Sequence, residues 1–395
     1  MGADFAISGL SMLSGILTAR YLLPEGKGKL TAAMLWPALF LAIIGLGMGQ
    51  AVVYHTGKYD KDFDEVVSSA ALVGFVQGSI ACVIGFFTIP YILGDYGQET
   101  VFSAQMLFLW APLGRLRDYS MRALQGKGLY RPWNTLRLVE KSLYVVGLIG
   151  LWLTDHLTVS SVVVVFILSE VVTFTASIYL LSRIVEAIRM SAQFAISMIR
   201  FGVQNLMTSL VGKANHEADQ AIISAYLPAE SLGLYRVAVS ASNMVTILSG
   251  GFKHILISEV SRADEGSGKA MIASSLKIAA PMMVVAAAGA VVTAPYLIPL
   301  VFGGEYADAV LATQVMSIAA AALGLKHIIY NGLRGFNRPD LPFYCEFVSL
   351  AATIALLYLL LPLLGILGAA IASLVAYLTS FILAAITYSR FSPAQ

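Results

Sequence analysis

The sequence predicts an all-α polytopic membrane protein: twelve transmembrane helices in two six-helix bundles. Composition, run length and an internal repeat carry the prediction. Hydrophobic residues are 58% of the 395 and charged residues only 12%, about half the charged share of ordinary globular domains. A helix needs about 20 mostly apolar residues to cross the bilayer core, and twelve runs approach or exceed that length. Finally, Ile89-Pro90-Tyr91-Ile92-Leu93-Gly94 returns 209 residues later as Ile298-Pro299-Leu300-Val301-Phe302-Gly303.

In chain order the runs are 4–22, 30–54, 66–93, 101–124, 134–154, 159–182, 202–226, 233–257, 271–300, 307–331, 341–363 and 366–389. The first lacks a basic leading segment and reads as a span rather than a cleaved leader. The repeat continues through Gly126 and Gly335 to Arg131-Pro132 and Arg338-Pro339. A second echo pairs Leu23-Pro24-Glu25 with Leu227-Pro228-Ala229-Glu230. Six spans per copy give both copies the same orientation, related by an axis along the membrane normal. The expected organisation is a first bundle over 1–182, a cytoplasmic amphipathic linker over 183–200, and a second bundle over 201–395. Ile184, Ile188 and Phe194 alternate there with Arg183, Glu186 and Arg189. Either a surface helix or an extension of the neighbouring spans accounts for that pattern.

Orientation follows from Lys and Arg in the short connections. The even-numbered connections and the C-terminus hold Lys58, Lys61, Lys127, Arg131, Arg183, Arg189, Arg200, Arg262, Lys269, Arg334, Arg338 and Arg390. The odd-numbered ones hold only Lys27 and Lys29. Both termini are therefore expected to be cytoplasmic. A net charge of +2 gives no reason to invoke nucleic acid, and two cysteines, Cys82 and Cys345, make no disulfide framework or metal spacing. Gly266-Ser267-Gly268-Lys269 resembles a phosphate loop, but Ala263 replaces its first glycine and Ala270 its Ser or Thr. No cofactor is implied, and no connection outside the bilayer is long enough to house an enzyme site.

Charges inside the spans carry the functional information, because a cation at mid-bilayer costs roughly 2.5–3.5 kcal/mol unless compensated. Arg20, Arg122, Arg137, Arg236, Lys253 and Lys277 lie near enough to run ends to snorkel. Arg115, Arg117 and Lys213 are deeper, and the repeat adds Lys326, which stands where Arg117 stands in the first copy. These four are the candidate substrate-binding residues, suited to an anionic ligand in a wet space. Asp118, Glu170, Glu217 and Asp219 are candidates for proton or sodium coupling, since burial raises carboxylate pKa values toward the working range. The same residues also allow plain structural pairing, Arg117 with Asp118 or Glu170, and Lys213 with Glu217 or Asp219. Lys141 has Glu140 beside it. Asn205, His216 and Gln220 make the seventh run the most polar span.

Three motif groups then bear a family resemblance. Thr18-Ala19-Arg20-Tyr21-Leu22-Leu23-Pro24-Glu25-Gly26 resembles the opening signature of Wzx-type polysaccharide-biosynthesis flippases. Asp219-Gln220-Ala221-Ile222-Ile223, with Leu227-Pro228 through Gly233-Leu234-Tyr235, is similar to the start of their second half. Phe302-Gly303-Gly304-Glu305-Tyr306 and Leu333-Arg334-Gly335-Phe336-Asn337-Arg338-Pro339 resemble their tenth-helix region. The resemblance implies the multidrug/oligosaccharidyl-lipid/polysaccharide exporter superfamily, with two bundles forming a V around a central cavity. It implies transport of undecaprenyl-pyrophosphate-linked oligosaccharide across the cytoplasmic membrane of a bacterium or archaeon, alongside membrane lipid and polysaccharide polymerase machinery. The related lipid II flippases carry cations in their first two helices, which here are nearly uncharged beyond Arg20. That argues against lipid II. A cation-coupled multidrug antiporter of the same superfamily is the alternative, expected to prefer an acidic or aromatic cavity.

Overall fold

The computed structural model describes residues 2–260, 265–336 and 340–390. Arg262, Ala263 and the Asn337-Arg338-Pro339 motif lie outside the described residues, as do the side chains of Asn205 and Lys253. The described residues form eleven helices: α1 (Gly2–Ile44), α2 (Met48–Lys58), α3 (Phe63–Leu93), α4 (Gln98–Gly126), α5 (Tyr130–Leu153), α6 (Val159–Ser182), α7 (Ala192–Tyr226), α8 (Ala229–Val260), α9 (Glu265–Phe302), α10 (Ala309–Gly335) and α11 (Asp340–Arg390). No strand occurs among them. Helices satisfy their own backbone polar groups, which hydrocarbon cannot do. Six helical stretches are long and apolar enough to cross a membrane on length and composition alone.

Two of the helices each hold two rods. α1 turns at Leu23, which adopts φ 59° and ψ 175° immediately before Pro24. The ring of Pro24 disfavours helical backbone at Leu23 and removes an N–H donor. α11 turns at Gly365, φ 55°, shortly after Pro362. The second expected span is itself interrupted. Residues 45–47 leave the helix, with Leu46 at φ 45° and Gly47 at φ 69°, before α2 resumes.

The repeat is visible as structure. After α3, Gly94–Tyr96 form a short 3-10 turn leading into α4. After α9, Gly304–Tyr306 do the same before α10, and both tyrosines are buried.

Two compact units divide the chain, Met1–Leu210 and Val211–Gln395. In the first, Met48, Val52, Phe63, Tyr119, Leu124 and Met198 form one core cluster, and Leu30, Leu107, Leu148 and Val162 belong to another. α3 meets α4 along a glycine face. A Cβ at Gly78 would stand 2.5 Å from Pro112 Cα, and one at Gly85 would stand 2.0 Å from Phe108. The absence of side chains there sets how closely the two backbones approach. In the second unit α10 packs against α8, α9 and α11 and is buried nearly all round, through the small residues Ala319–Ala322. Its small side chains let three neighbouring helices approach it closely.

The segment 183–200 is helical only from Ala192, where α7 begins, and not as one surface helix. Residues 183–191 run as turns and extended chain because α3 takes up their backbone groups. Asp64 Oδ2 accepts from the N–H groups of Glu186 and Ala187 at 3.2 and 3.0 Å. Ser69 Oγ accepts from Ser191 N at 2.9 Å and donates to Ser191 O.

Substituting Gly78→Leu is expected to destabilise the first unit by about 1–3 kcal/mol through forced separation of α3 and α4. Gly150→Ala, where an added Cβ meets nothing within 4 Å, is the control. Thermal unfolding of purified protein in detergent checks this, and equal midpoints for the two variants would refute the close-approach argument.

Candidate functional site

Each compact unit buries a cation at the repeat-equivalent position and gives it a carboxylate from a neighbouring helix. In the first, Arg117 of α4 donates through Nη1 to Glu140 of α5 and through Nη2 to Glu170 of α6 at 2.6 Å. Trp110 Nε1 donates to the other oxygen of Glu170 at 2.5 Å. Lys141 Nζ lies 3.6 Å from Glu140. Glu140 and Glu170 are both buried. The planar fork of Arg117 thereby ties three helices together, a task suited to its fixed set of donors.

In the second unit Lys326 of α10, 1% exposed, donates to Glu346 Oε1 of α11 at 2.7 Å. The other oxygen of Glu346 accepts from Asn215 Nδ2 of α7 at 2.6 Å. Thr353 Oγ1 donates to Asn215 Oδ1 at 3.0 Å, and Ser349 Oγ accepts from Asn215 Nδ2 at 3.1 Å. At the 207 spacing that relates Arg131 to Arg338, Glu170 corresponds to Tyr377. The Tyr377 ring lies 5.3 Å from Lys326 Nζ. An aromatic face in the second copy thus stands where the first copy has a second carboxylate.

The other candidates fall into separate groups. Asp118 does not pair with Arg117. Its carboxylate lies 3.8 Å from Arg115 Nη1 and 3.5 Å from Arg122 Nε. Lys213 is half-buried on α7. Glu217 keeps Oε2 buried without a hydrogen-bond partner. Asp219 is 2% exposed and accepts at Oδ2 from Tyr235 at 2.5 Å and Ser373 at 3.2 Å. Its Oδ1 accepts from the N–H of Gln220. A small pocket beside it is lined by His216, Asp219, Ser242, Asn243, Met316 and Tyr377, among others.

Glu346 is the site residue absent from the sequence reading. It sits in the run Phe343-Tyr344-Cys345-Glu346-Phe347, and only its position opposite Lys326 gives it a role. The available signal was the repeat itself, since a cation aligned with Arg117 needs a carboxylate of its own. Among the described residues no group of His, Cys, Asp and Glu is arranged to hold a metal ion. Gly266-Ser267-Gly268-Lys269 lies at the helical start of α9, so its backbone forms no cradle for phosphate.

Long apolar helices carrying buried charge pairs make this a multi-pass membrane protein. Residues 17–311 match the family of polysaccharide biosynthesis proteins, and the chain belongs to it. An uncharacterised membrane protein of Methanocaldococcus jannaschii is 22% identical, over 96% of this chain and 80% of its own length. The fold is similar to that of the lipid II flippase MurJ in an inward closed conformation, with TM-score 0.84 and 15% identity. That match covers 99% of this chain and 87% of the other. It is also similar to an inward-facing multidrug resistance MATE family transporter of the MOP superfamily, with TM-score 0.78 and 15% identity over 96% and 94% of the two chains.

Removing one member of a buried ion pair strands the other, at a cost of about 3–5 kcal/mol. Lys326→Met should therefore lower the unfolding midpoint sharply, and Lys326→Met with Glu346→Gln should recover most of the loss. A double variant no more stable than the single one would refute the pairing.

Proposed function

We propose that this protein is a flippase. It moves undecaprenyl-pyrophosphate-linked oligosaccharide from the cytoplasmic to the outer leaflet by alternating access, and the cargo is an O-antigen, capsule or exopolysaccharide repeat unit. Membership of the polysaccharide biosynthesis family, joined to deep cations at repeat-equivalent positions, carries this reading. A pyrophosphate head group is what buried Arg and Lys side chains bind most strongly, through charge-assisted hydrogen bonds. In this reading Arg115, Arg117, Lys213 and Lys326 supply the positive charge. Glu140, Glu170 and Glu346 hold Arg117 and Lys326 when no substrate is bound, and an arriving phosphate competes with them. The protein sits in the cytoplasmic membrane with both termini cytoplasmic, supplying polysaccharide polymerase machinery on the far side.

Asp118, Glu170, Glu217 and Asp219 remain the candidates for coupling to protons or sodium. Asp219 is the strongest, because hydroxyl and amide donors hold its carboxylate beside a cavity. The competing reading is a cation-coupled multidrug antiporter, favoured by the likeness to a MATE family transporter. An organic cation would have to draw Glu140, Glu170 or Glu346 away from Arg117 or Lys326, which weighs against that reading.

The test is reconstitution into liposomes with a fluorescent polyprenyl-pyrophosphate saccharide. The purified protein should translocate it, and a drug-efflux assay in a pump-deficient host should show no protection. Arg117→Gln combined with Lys326→Met and Glu346→Gln should abolish translocation while membrane insertion persists. Wild-type transport by that inserted variant would remove both cations from the head-group role. Asp219→Asn should abolish any response of transport to an imposed proton or sodium gradient, and an unchanged response would exclude Asp219 from coupling.

A further inference from the structure

The three cations of α4 are not equally satisfied. Arg117 spends both terminal nitrogens on carboxylates. Arg115, two residues earlier, has Nε and Nη2 buried with no hydrogen-bond partner. Among the described residues its carboxylate contact is Asp118 at 3.8 Å, beyond hydrogen-bond range. Leaving donors of a charged group unmade inside a bundle costs more than leaving those of a neutral one. Arg115 is thus a charged fork held ready in a buried place.

Its surroundings are specific. The side chain of Arg115 is 14% exposed and aimed at the interruption between α1 and α2. A Cβ at Gly45 would lie 2.5 Å from Arg115 Nη2, so any other residue there would displace the guanidinium. One turn further, a Cβ at Gly49 would lie 3.4 Å from Arg122 Nε. Arg115 and Arg122 therefore flank the same interruption from α4, with Asp118 between them at 3.8 and 3.5 Å. Tyr119, under Arg115, directs its hydroxyl away to Gln77 at 2.5 Å. The interruption is fixed from the other side by backbone: a Cβ at Gly47 would meet Gly202 O at 2.5 Å, and one at Gly202 would meet Leu46 O at 2.4 Å.

We propose that Arg115 and Arg122 form a phosphate-binding site at the interruption of the second span, with Asp118 as its resident counter-anion. Two guanidinium groups converging on one carboxylate at long range have donors left over for an anion with more oxygens. A phosphate or diphosphate has them, and it meets guanidinium forks in bidentate fashion. The site rests on the flippase reading above for its lipid-linked ligand, and it assigns Arg122 a binding role that proximity to a span end would deny it. Asp118 becomes a gatekeeper that phosphate must displace. Its neutralisation should therefore strengthen binding, the opposite of what a stabilising salt bridge predicts.

The experiment uses the full-length protein in lipid nanodiscs, titrated with inorganic diphosphate and with a short-chain polyprenyl diphosphate. Arg115→Gln and Arg122→Gln should each weaken binding by roughly tenfold or more. Asp118→Asn should tighten it, and Arg131→Gln, at an exposed position, should leave it unchanged. Unfolding midpoints report whether each variant is folded, and Arg115→Lys, which keeps the charge, should retain part of the affinity. Equal affinity for both probes assigns the site to free phosphate, and preference for the polyprenyl form assigns it to the lipid carrier. Wild-type affinity in the folded Arg115→Gln and Arg122→Gln variants, or weakening by Asp118→Asn, overturns the site. Polyprenyl diphosphate bound by the wild type in that case leaves the flippase reading standing. Binding of inorganic diphosphate alone, lost in the arginine variants, leaves the site standing and removes the lipid carrier.

Discussion

A charge inside an apolar helix bundle is costly unless it is compensated, and this constraint organises both units. Arg117 joins α4 to α5 and α6 through Glu140 and Glu170. Lys326 joins α10 to α11 through Glu346, and Asn215 extends that pair to α7. Each cation thereby fixes the rotation of its own helix, because a helix turned by one residue would point the charge into hydrocarbon or an unmatched neighbour. Hydrophobic contacts among long apolar helices supply no such preference, since one lipid-like face resembles another. The ion pairs specify which faces meet, and the glycine face of α3 then sets how near they come.

Set against these saturated pairs, the unsaturated groups acquire meaning. Arg115 and Asp219 are buried as deeply in the bundles as the paired residues, yet neither is closed off by an opposite charge at bonding distance in the contacts described. Arg115 has donors to spare, and Asp219 is held by hydroxyls and an amide beside a small pocket. In the flippase reading, an arriving ligand meets Arg115 with donors to spare, whereas at Arg117 or Lys326 it must compete with Glu140, Glu170 or Glu346.

Much of the fold was legible because run length and hydropathy act along one dimension, as spans do. The repeat was legible too, and it survives as matching 3-10 turns before α4 and α10. The interruptions at Leu23 and 45–47 were harder, since Leu46 and Leu23 are as apolar as their neighbours and only backbone angles set them apart. The course of 183–191 was not legible: its alternation of Ile and Arg is real, but Asp64 and Ser69, more than a hundred residues earlier, hold its backbone. Glu346 was overlooked for a related reason. Nothing in linear order marks Glu346 as the partner of Lys326, which lies twenty residues earlier on another helix. Arg122 was judged by its distance from a span end, which says nothing about the direction in which a side chain leaves its helix.

The two charge centres also record what happened after the chain was duplicated. One copy kept a guanidinium spread across two acids; the other settled on a compact ammonium, one acid and an aromatic ring. Neither cation now suits the other's surroundings, since an ammonium among the first set would leave an acid over, and a guanidinium among the second would leave an arm idle. Exchanging the two cations between the copies would therefore leave a charge or a donor uncompensated in each.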